Sequence, residues 1–210
     1  NKGSMPSRRF KRAGVLMGGV SAEREVSLHS GEAVVGGLRT AGYQVEAIDV
    51  QRRALDLPED LEAVFVALHG EFGEDGEIQT LLREIGMPYT GSGPEACRRA
   101  FDKVLSKQCF EAQGLPTPLW TTVREGSKAP LPLPIVVKPI RQGSSLGVRC
   151  VERAADWESA LSEALRYGEE ALVEAYIPGR ELTVGIMGDR ILPVLEILPP
   201  EGFYSYEAKY

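Results

Sequence analysis

Near its start the chain alternates short apolar runs with segments of helical period, and that order narrows the fold more than any other feature. Ala13-Gly14-Val15-Leu16-Met17 is short enough for a buried strand and ends at Gly18-Gly19. The next segment places Val26, Ala33, Val34, Leu38 and Ala41 at helical spacing, with Gly42 behind them as a helix stop. Gln44–Val50 alternates like a strand, and Ala63–Leu68 is a second buried run. Ile78, Leu81, Leu82 and Ile85 form another helical face, closed by Gly86. Strand then helix, repeated, builds a mostly parallel sheet with helices on both faces, because parallel neighbours need a crossover and the helix supplies it.

The character changes after about residue 100. Phe101–Ala112 reads as a helix that stops before Gly114-Leu115-Pro116. Strands then crowd together at Trp120–Val123, Ile135–Lys138, Val148–Val151, Leu172–Tyr176, Leu182–Met187 and Ile191–Ile197, interrupted by a helix over about Ala155–Arg166. This density implies antiparallel pairs. The expected class is α/β: a parallel-sheet, Rossmann-like domain over 12–100, then an α+β domain over 101–210. Asn1-Lys2-Gly3-Ser4 before Met5 reads as a tag remnant, and residues 1–11 are set apart as a flexible start.

Composition removes several classes. A formal net charge of −6 argues against nucleic acid or an anionic membrane as main partner. No run approaches the apolar length that spans a bilayer. Cys97, Cys109 and Cys150 are odd in number and show no C-x-x-C spacing, which favours a reducing cytoplasm and gives no zinc signature. They are expected to be small buried hydrophobes.

Four segments carry possible chemistry. Gly18-Gly19-Val20-Ser21-Ala22-Glu23 leaves a strand and enters a helix, the place where α/β folds bind ligands. It is not G-x-G-x-x-G, so a dinucleotide site is poorly supported. Glu23, in the first helical turn, would be held ionised by the helix dipole and would suit a ligand ammonium. His69-Gly70-Glu71-Phe72-Gly73-Glu74-Asp75-Gly76 follows the second buried strand and must turn sharply. His69 alone reads more often as a structural histidine donating to a backbone carbonyl, and Glu74-Asp75 equally as first-turn residues of the next helix.

The strongest local signal is Val136-Val137-Lys138-Pro139-Ile140-Arg141-Gln142-Gly143-Ser144-Ser145-Leu146-Gly147-Val148. A lysine ending a buried strand is costly without an anion, and the Gly-Ser-Ser-x-Gly loop behind it can turn N–H groups and hydroxyls toward phosphate. The lysine precedes the loop, so this is not a P-loop. Glu174-Ala175-Tyr176-Ile177-Pro178-Gly179-Arg180-Glu181 joins two strands with an acid at each end and suits a purine and its ribose. Glu174 would accept from the exocyclic amine, the backbone near Ile177 would meet the ring, and Glu181 would take the ribose hydroxyls. An ordinary Pro-Gly hairpin is the alternative. The chain closes on Phe203-Tyr204-Ser205-Tyr206-Glu207-Ala208-Lys209-Tyr210, aromatic enough for a lid.

Taken in order, GGVSAEREVSLHSG (18–31), LHGEFGEDG (68–76), MPYTGSG (87–93), DKVLSK (102–107), VVKPIRQGSSLGV (136–148), VEAYIPGRELTVGI (173–186) and FYSYEAKY (203–210) resemble successive signature segments of D-alanine–D-alanine ligases, members of the ATP-grasp superfamily. The resemblance implies an N-terminal pre-ATP-grasp domain followed by an incomplete ATP-grasp domain. It implies that Lys103 and Lys138 hold the ATP phosphates, and that Ser144 and Ser145 sit in the loop over the γ-phosphate. Glu174, the backbone at Ala175 and Ile177, and Glu181 match adenosine contacts. The family often carries a lysine or acid where this chain has Ala175, which leaves a backbone contact. Glu23 matches the acid that takes the ammonium of the first D-alanine, in a triad with Ser144 and Tyr210. His69 matches a histidine lining that pocket, and Lys209 a lysine near the transferred phosphoryl group.

The resemblance further implies ATP and Mg2+ (or Mn2+), D-alanine as substrate, a cytoplasmic homodimer, and a role in peptidoglycan precursor synthesis and cell shape. The reaction would pass through an acylphosphate. The family continues well beyond the tyrosine-rich loop, and that part carries its magnesium-binding acid and asparagine, an arginine and the second-substrate pocket. No metal ligand is therefore expected within this chain, and these 210 residues alone are expected not to make dipeptide. The alternatives are a nucleotide-binding module without turnover and a ligase with D-lactate or D-serine as acceptor. Tyr210 favours an amine nucleophile over D-lactate.

Overall fold

The computed structural model describes residues 10–198. The expected tag remnant and the tyrosine-rich segment, with Lys209 and Tyr210, lie outside the described residues. The chain divides into two compact units, Asn1–Asp102 and Lys103–Tyr210.

In the first unit, β1 (Arg12–Gly18) lies between β2 (Gln44–Val50) and β3 (Ala63–Val66), and both pairings are parallel. The α1 helix (Arg24–Thr40) is the crossover between β1 and β2. Successive strand residues point to opposite faces, and β1 shows the consequence. Val15 packs with Val35 and, more peripherally, Val34 and Leu38 of α1. Leu16 packs with Ile78 and Leu82 of α2 (Glu77–Glu84) on the other face. The expectation of helices on both faces holds. Beyond β3, Val64 donates to Pro88 O and accepts from Thr90 N, so the Pro88–Thr90 segment extends the sheet with a parallel bridge.

Gly42 follows α1 at φ +82, with its N–H on Arg39 O and that of Tyr43 on Leu38 O. The positive φ is the left-handed stop that glycine adopts without penalty. Gly31 is dictated by contact: a Cβ there would come within 2.4 Å of Met17 Cβ and 2.6 Å of its Sδ.

The second unit holds a four-stranded antiparallel sheet in the order β4 (Trp120–Val123), β7 (Ala171–Ala175), β5 (Ile135–Pro139), β6 (Arg149–Val151). The α5 helix (Trp157–Leu165) covers one face, where Trp157, Ala160, Leu161 and Ala164 meet Val123, Ile135, Val137, Val151 and Val173. A separate hairpin pairs β8 (Glu181–Met187) with β9 (Arg190–Ile197). The expected antiparallel pairing is present throughout this unit.

Several expectations need correction. A helix over Pro94–Phe101, α3, was not anticipated; Pro94 is its first residue, a position that needs no N–H donor. The single helix expected over Phe101–Ala112 is split at Asp102 (φ −88°, ψ 110°), and α4 runs Lys103–Ala112. The physical cause is that Lys103 N–H donates to Ile140 O, a carbonyl distant in sequence. The β6 strand begins at Arg149 and not Val148, whose N–H is spent on Ser145 O inside the loop. The cysteines are not core hydrophobes: Cys97 and Cys150 are half-buried and Cys109 is exposed.

Replacing Gly31 by alanine overpacks α1 against β1, and a loss of about 1–3 kcal/mol is expected in urea unfolding. Gly36, in the same helix, has nothing within 4 Å of an added Cβ. Gly36→Ala should stabilise by about 0.5–1 kcal/mol, since alanine loses less backbone entropy. Equal effects at the two positions would contradict the packing described.

Candidate functional site

The β2-β1-β3 order places the change of chain direction between β1 and β3, so the loops leaving those strands flank a crevice at their carboxyl ends. Those loops are Gly19–Glu23 and Ala67–Gly76. Ser21 Oγ donates to His69 O (2.7 Å) and accepts from Glu23 N (3.1 Å), tying the two together. Glu23 is 3 % exposed. It stands one residue earlier than expected, at the N-cap of α1, with its own carbonyl accepting from Ser27 N. Gly70 lies against it, and a Cβ there would come within 2.9 Å of Glu23 Oε2. A buried carboxylate at a strand end beside a helix N-terminus is an acceptor suited to a ligand cation.

The ring of His69 meets side chains and not a backbone carbonyl. Its Nε2 is 3.2 Å from Ser30 Oγ, and its Nδ1 is 3.7 Å from Glu74 Oε1. The Glu74 carboxylate, reinforced by Glu23, holds the imidazole above the ordinary histidine value against the lowering effect of burial. Burial raises Glu74, but His69 and the Gly70 amide outweigh it and leave that carboxyl below the usual range. Glu74 and Asp75 precede α2 and hold the loop itself. Glu74 accepts from Gly70 N (2.8 Å), while Asp75 accepts from Phe72 N (2.8 Å) and Glu77 N (3.0 Å). Phe72, 1 % exposed, takes a φ of 69°, a conformation that non-glycine residues hold only under constraint.

In the second unit, strand alternation divides the sheet into an α5 face and a cavity face. Ile135 and Val137 join the α5 core, so Val136 and Lys138 point the other way, as does Glu174, whose register partner is Val136. These residues line a cavity of about 880 Å³. Around it stand Lys103, Ser144, Ser145, Ala175, Ile177 and Glu181. Lys103 Nζ donates to Gln142 O (2.5 Å), which fixes the start of α4 to the glycine-rich loop. Ser144 and Ser145 have φ values of 49° and 60°. Two consecutive non-glycine residues in the left-handed region cost about 1–2 kcal/mol each and mark a constrained turn. Gly147 is required there, since a Cβ would press on Pro139 and Tyr167 at 2.8 Å.

Glu174 is 6 % exposed and pairs with two ammonium groups, Lys107 through Oε1 at 2.6 Å and Lys138 through Oε2. Burial acts to raise its pKa, but Lys138 and Lys107 outweigh that and hold it below the ordinary carboxylate value. Its carboxylate is thus engaged by two lysines at the cavity wall. The N–H of Ala175 goes to Leu119 O and that of Tyr176 to Pro134 O. At the rim, Arg180 forms a two-pronged pair with Glu196, both bonds 2.7 Å.

Of the residues singled out in the sequence, Lys103, Lys138, Ser144, Ser145, Glu174, Ala175, Ile177 and Glu181 therefore share one cavity, while Glu23 and His69 share a crevice of the first unit. Lys107 was missed, although it is 4 % exposed and central to the ion cluster. Its signal was present as the four-residue spacing from Lys103, which places both lysines on one face of a helix.

The chain matches the model described as D-ala D-ala ligase C-terminus over residues 110–210 and that described as D-ala D-ala ligase N-terminus over residues 51–92. It is 49 % identical over 207 residues to the D-alanine–D-alanine ligase of Citrifermentans bemidjiense, covering 95 % of this chain and 67 % of that one. The chain belongs to the D-alanine–D-alanine ligase family. The family member from Methylacidiphilum infernorum is 46 % identical over 196 residues, covering 93 % of this chain and 65 % of its own length. The crystal structure of the Bacillus anthracis ligase complexed with ATP superposes with a TM-score of 0.79 at 32 % identity, over 93 % of this chain and 68 % of that one. The chain thus spans about two thirds of the length of its curated relatives.

The His69–Glu74 pair gives a pH signature. A raised histidine pKa contributes stability below about pH 6.5 that is lost as pH rises through the folded value. A lowered glutamate contributes above its unfolded value and loses it as pH falls through the folded one. Histidine NMR titration is expected to place His69 above the ordinary value, and Glu74→Gln to bring it down. A His69 shift unaffected by Glu74→Gln would refute the pairing.

Proposed function

We propose that this chain carries the ATP site and the first-substrate site of an enzyme that joins two D-alanines at the expense of ATP. The observation that carries the reading is the single cavity of the second unit, lined by Lys103, Lys138, the strained Ser144-Ser145 turn and the Glu174–Glu181 connection. Family membership supplies the reaction class. The carboxylate of the first D-alanine attacks the γ-phosphorus of ATP, giving an acylphosphate and ADP. The amine of the second then attacks the acyl carbon, and phosphate leaves.

The groups present suit the charges involved. Lys103 and Lys138 offset polyphosphate charge, and the Ser144-Ser145 loop offers hydroxyls and main-chain N–H groups to the terminal phosphate. The connection from Ala175 to Glu181 takes the adenosine, with Ile177 against the base and the Glu181 carboxylate at the ribose hydroxyls. Glu23 accepts the ammonium of the first D-alanine, and His69 lines the same pocket. A loop that closes over the phosphates also keeps water from the acylphosphate. In the same reading, Tyr210 and Lys209, which lie outside the described residues, are catalytic residues of the reaction.

Among the described residues no group of three or more His, Cys, Asp and Glu is placed to hold a metal ion. The resemblance supports magnesium (or manganese) as the metal, with its ligands in the part of the family that follows the tyrosine-rich loop. No described helix is long and apolar enough to cross a membrane. The three free cysteines support a reducing, cytoplasmic setting. The resemblance supports a homodimer and a product that feeds peptidoglycan precursor synthesis and cell shape.

Ligands that bind only the folded state raise its stability, by about 2.7 kcal/mol at a hundred times Kd. ATP and D-alanine are each expected to raise the thermal midpoint of this chain. Glu23→Gln should lose the D-alanine response and keep the ATP response, and Lys138→Met should do the reverse. Loss of both responses from either substitution, with folding intact, would overturn the assignment of the two ligands to two sites.

A further inference from the structure

We infer that Lys107 is a positioning residue for the nucleotide phosphates, acting through Glu174 on Lys138. This deepens the proposed ATP site and rests on it. Lys107 does not line the cavity. It lies behind it, its side chain 5 % exposed, and its Nζ contacts Glu174 Oε1 (2.6 Å), Thr117 Oγ1 (2.7 Å) and Pro118 O (3.3 Å). An ammonium has three donors, and these three acceptors use them all. The group is therefore fixed in place.

The consequence falls on Lys138, whose side chain is 27 % exposed and whose Nζ holds the other oxygen of the same carboxylate. Two ammonium groups on one carboxylate leave a net charge of +1 at the cavity wall. Because Lys107 occupies Oε1, Lys138 engages Oε2 alone and keeps donors for a ligand. Remove Lys107 and the wall carries a neutral pair. Among the described residues the buried carboxylate then keeps Lys138 as its ammonium partner, and draws it inward with both oxygens. The loss should be felt by phosphate groups and not by adenosine.

A merely structural role predicts something different. If Lys107 only neutralised a buried acid, its loss would loosen the whole wall, and adenosine and ATP would weaken together. Lys107→Met keeps length and volume, and Lys128→Met is a control that removes an exposed lysine elsewhere. Calorimetric titration with ATP, ADP and adenosine should show ATP and ADP weakened about tenfold by Lys107→Met, adenosine unchanged, and Lys128→Met like the unsubstituted chain. In the double variant with Lys138→Met, the Lys107 substitution should add almost nothing, since residues acting in one network are non-additive. Additive losses, or equal weakening of adenosine and ATP, would overturn the inference. If Lys107→Met does not fold, Thr117→Val removes one of its three acceptors at constant shape and should weaken ATP a few-fold while sparing adenosine; no effect would count equally against it. Failure of the unsubstituted chain to bind ATP would overturn the parent reading and this one together, whereas normal ATP binding with an inert Lys107 would overturn this one alone.

Discussion

The second unit is organised around one carboxylate that burial would otherwise neutralise. Glu174 is the fourth residue of β7, and the three before it, Ala171, Leu172 and Val173, are fully buried. An ionised acid in that position is costly unless paired and hydrogen-bonded. Two ammonium groups meet it, one from α4 and one from β5. The pairing thus joins helix and sheet at the point where the cavity opens. Breaking such a buried pair from one side typically costs about 3–5 kcal/mol, because the remaining charge is stranded. The same cluster that holds the cavity face together makes it positive, so stability and local charge here share one set of atoms.

The first unit uses a different device. Its charged groups are positioned by loops leaving adjacent parallel strands, and the loops are stitched by short local bonds: Ser21 to His69, Glu74 to Gly70, Asp75 to Phe72, and Gln79 to Gly73. Phe72 is a buried anchor at strained φ, which keeps the loop from relaxing into a simple turn. The glycines permit close approach. A side chain at Gly70 would touch both Glu23 and Ser21. Rigid loops over an α/β scaffold are where such folds place ligand contacts.

Much of this was legible in the residue order. Alternating periods disclosed the parallel sheet and its two covered faces, and the later crowding of strands disclosed the antiparallel sheet. The lysine before Gly-Ser-Ser-x-Gly marked the cavity wall, and a buried carboxylate was within reach of inference at Glu23. Other features were hidden because they depend on distant partners. The break at Asp102 arises from a hydrogen bond between Lys103 and Ile140, nearly forty residues apart. Half-buried and exposed cysteines escaped a rule that treats cysteine as a core residue.

By itself, the sequence determined the fold class, the family and many of the residues that line the cavity of the second unit, because hydrophobic period and loop chemistry are local properties. Only the tertiary structure decided what Glu174 does. Its local pattern, an acid ahead of a Pro-Gly turn, reads as a ligand contact. Its actual role follows from a lysine sixty-seven positions before it and another thirty-six before it, brought onto one carboxylate by helix and strand geometry. Charge pairing in a buried site is a property of three-dimensional neighbours, and no window of sequence contains them.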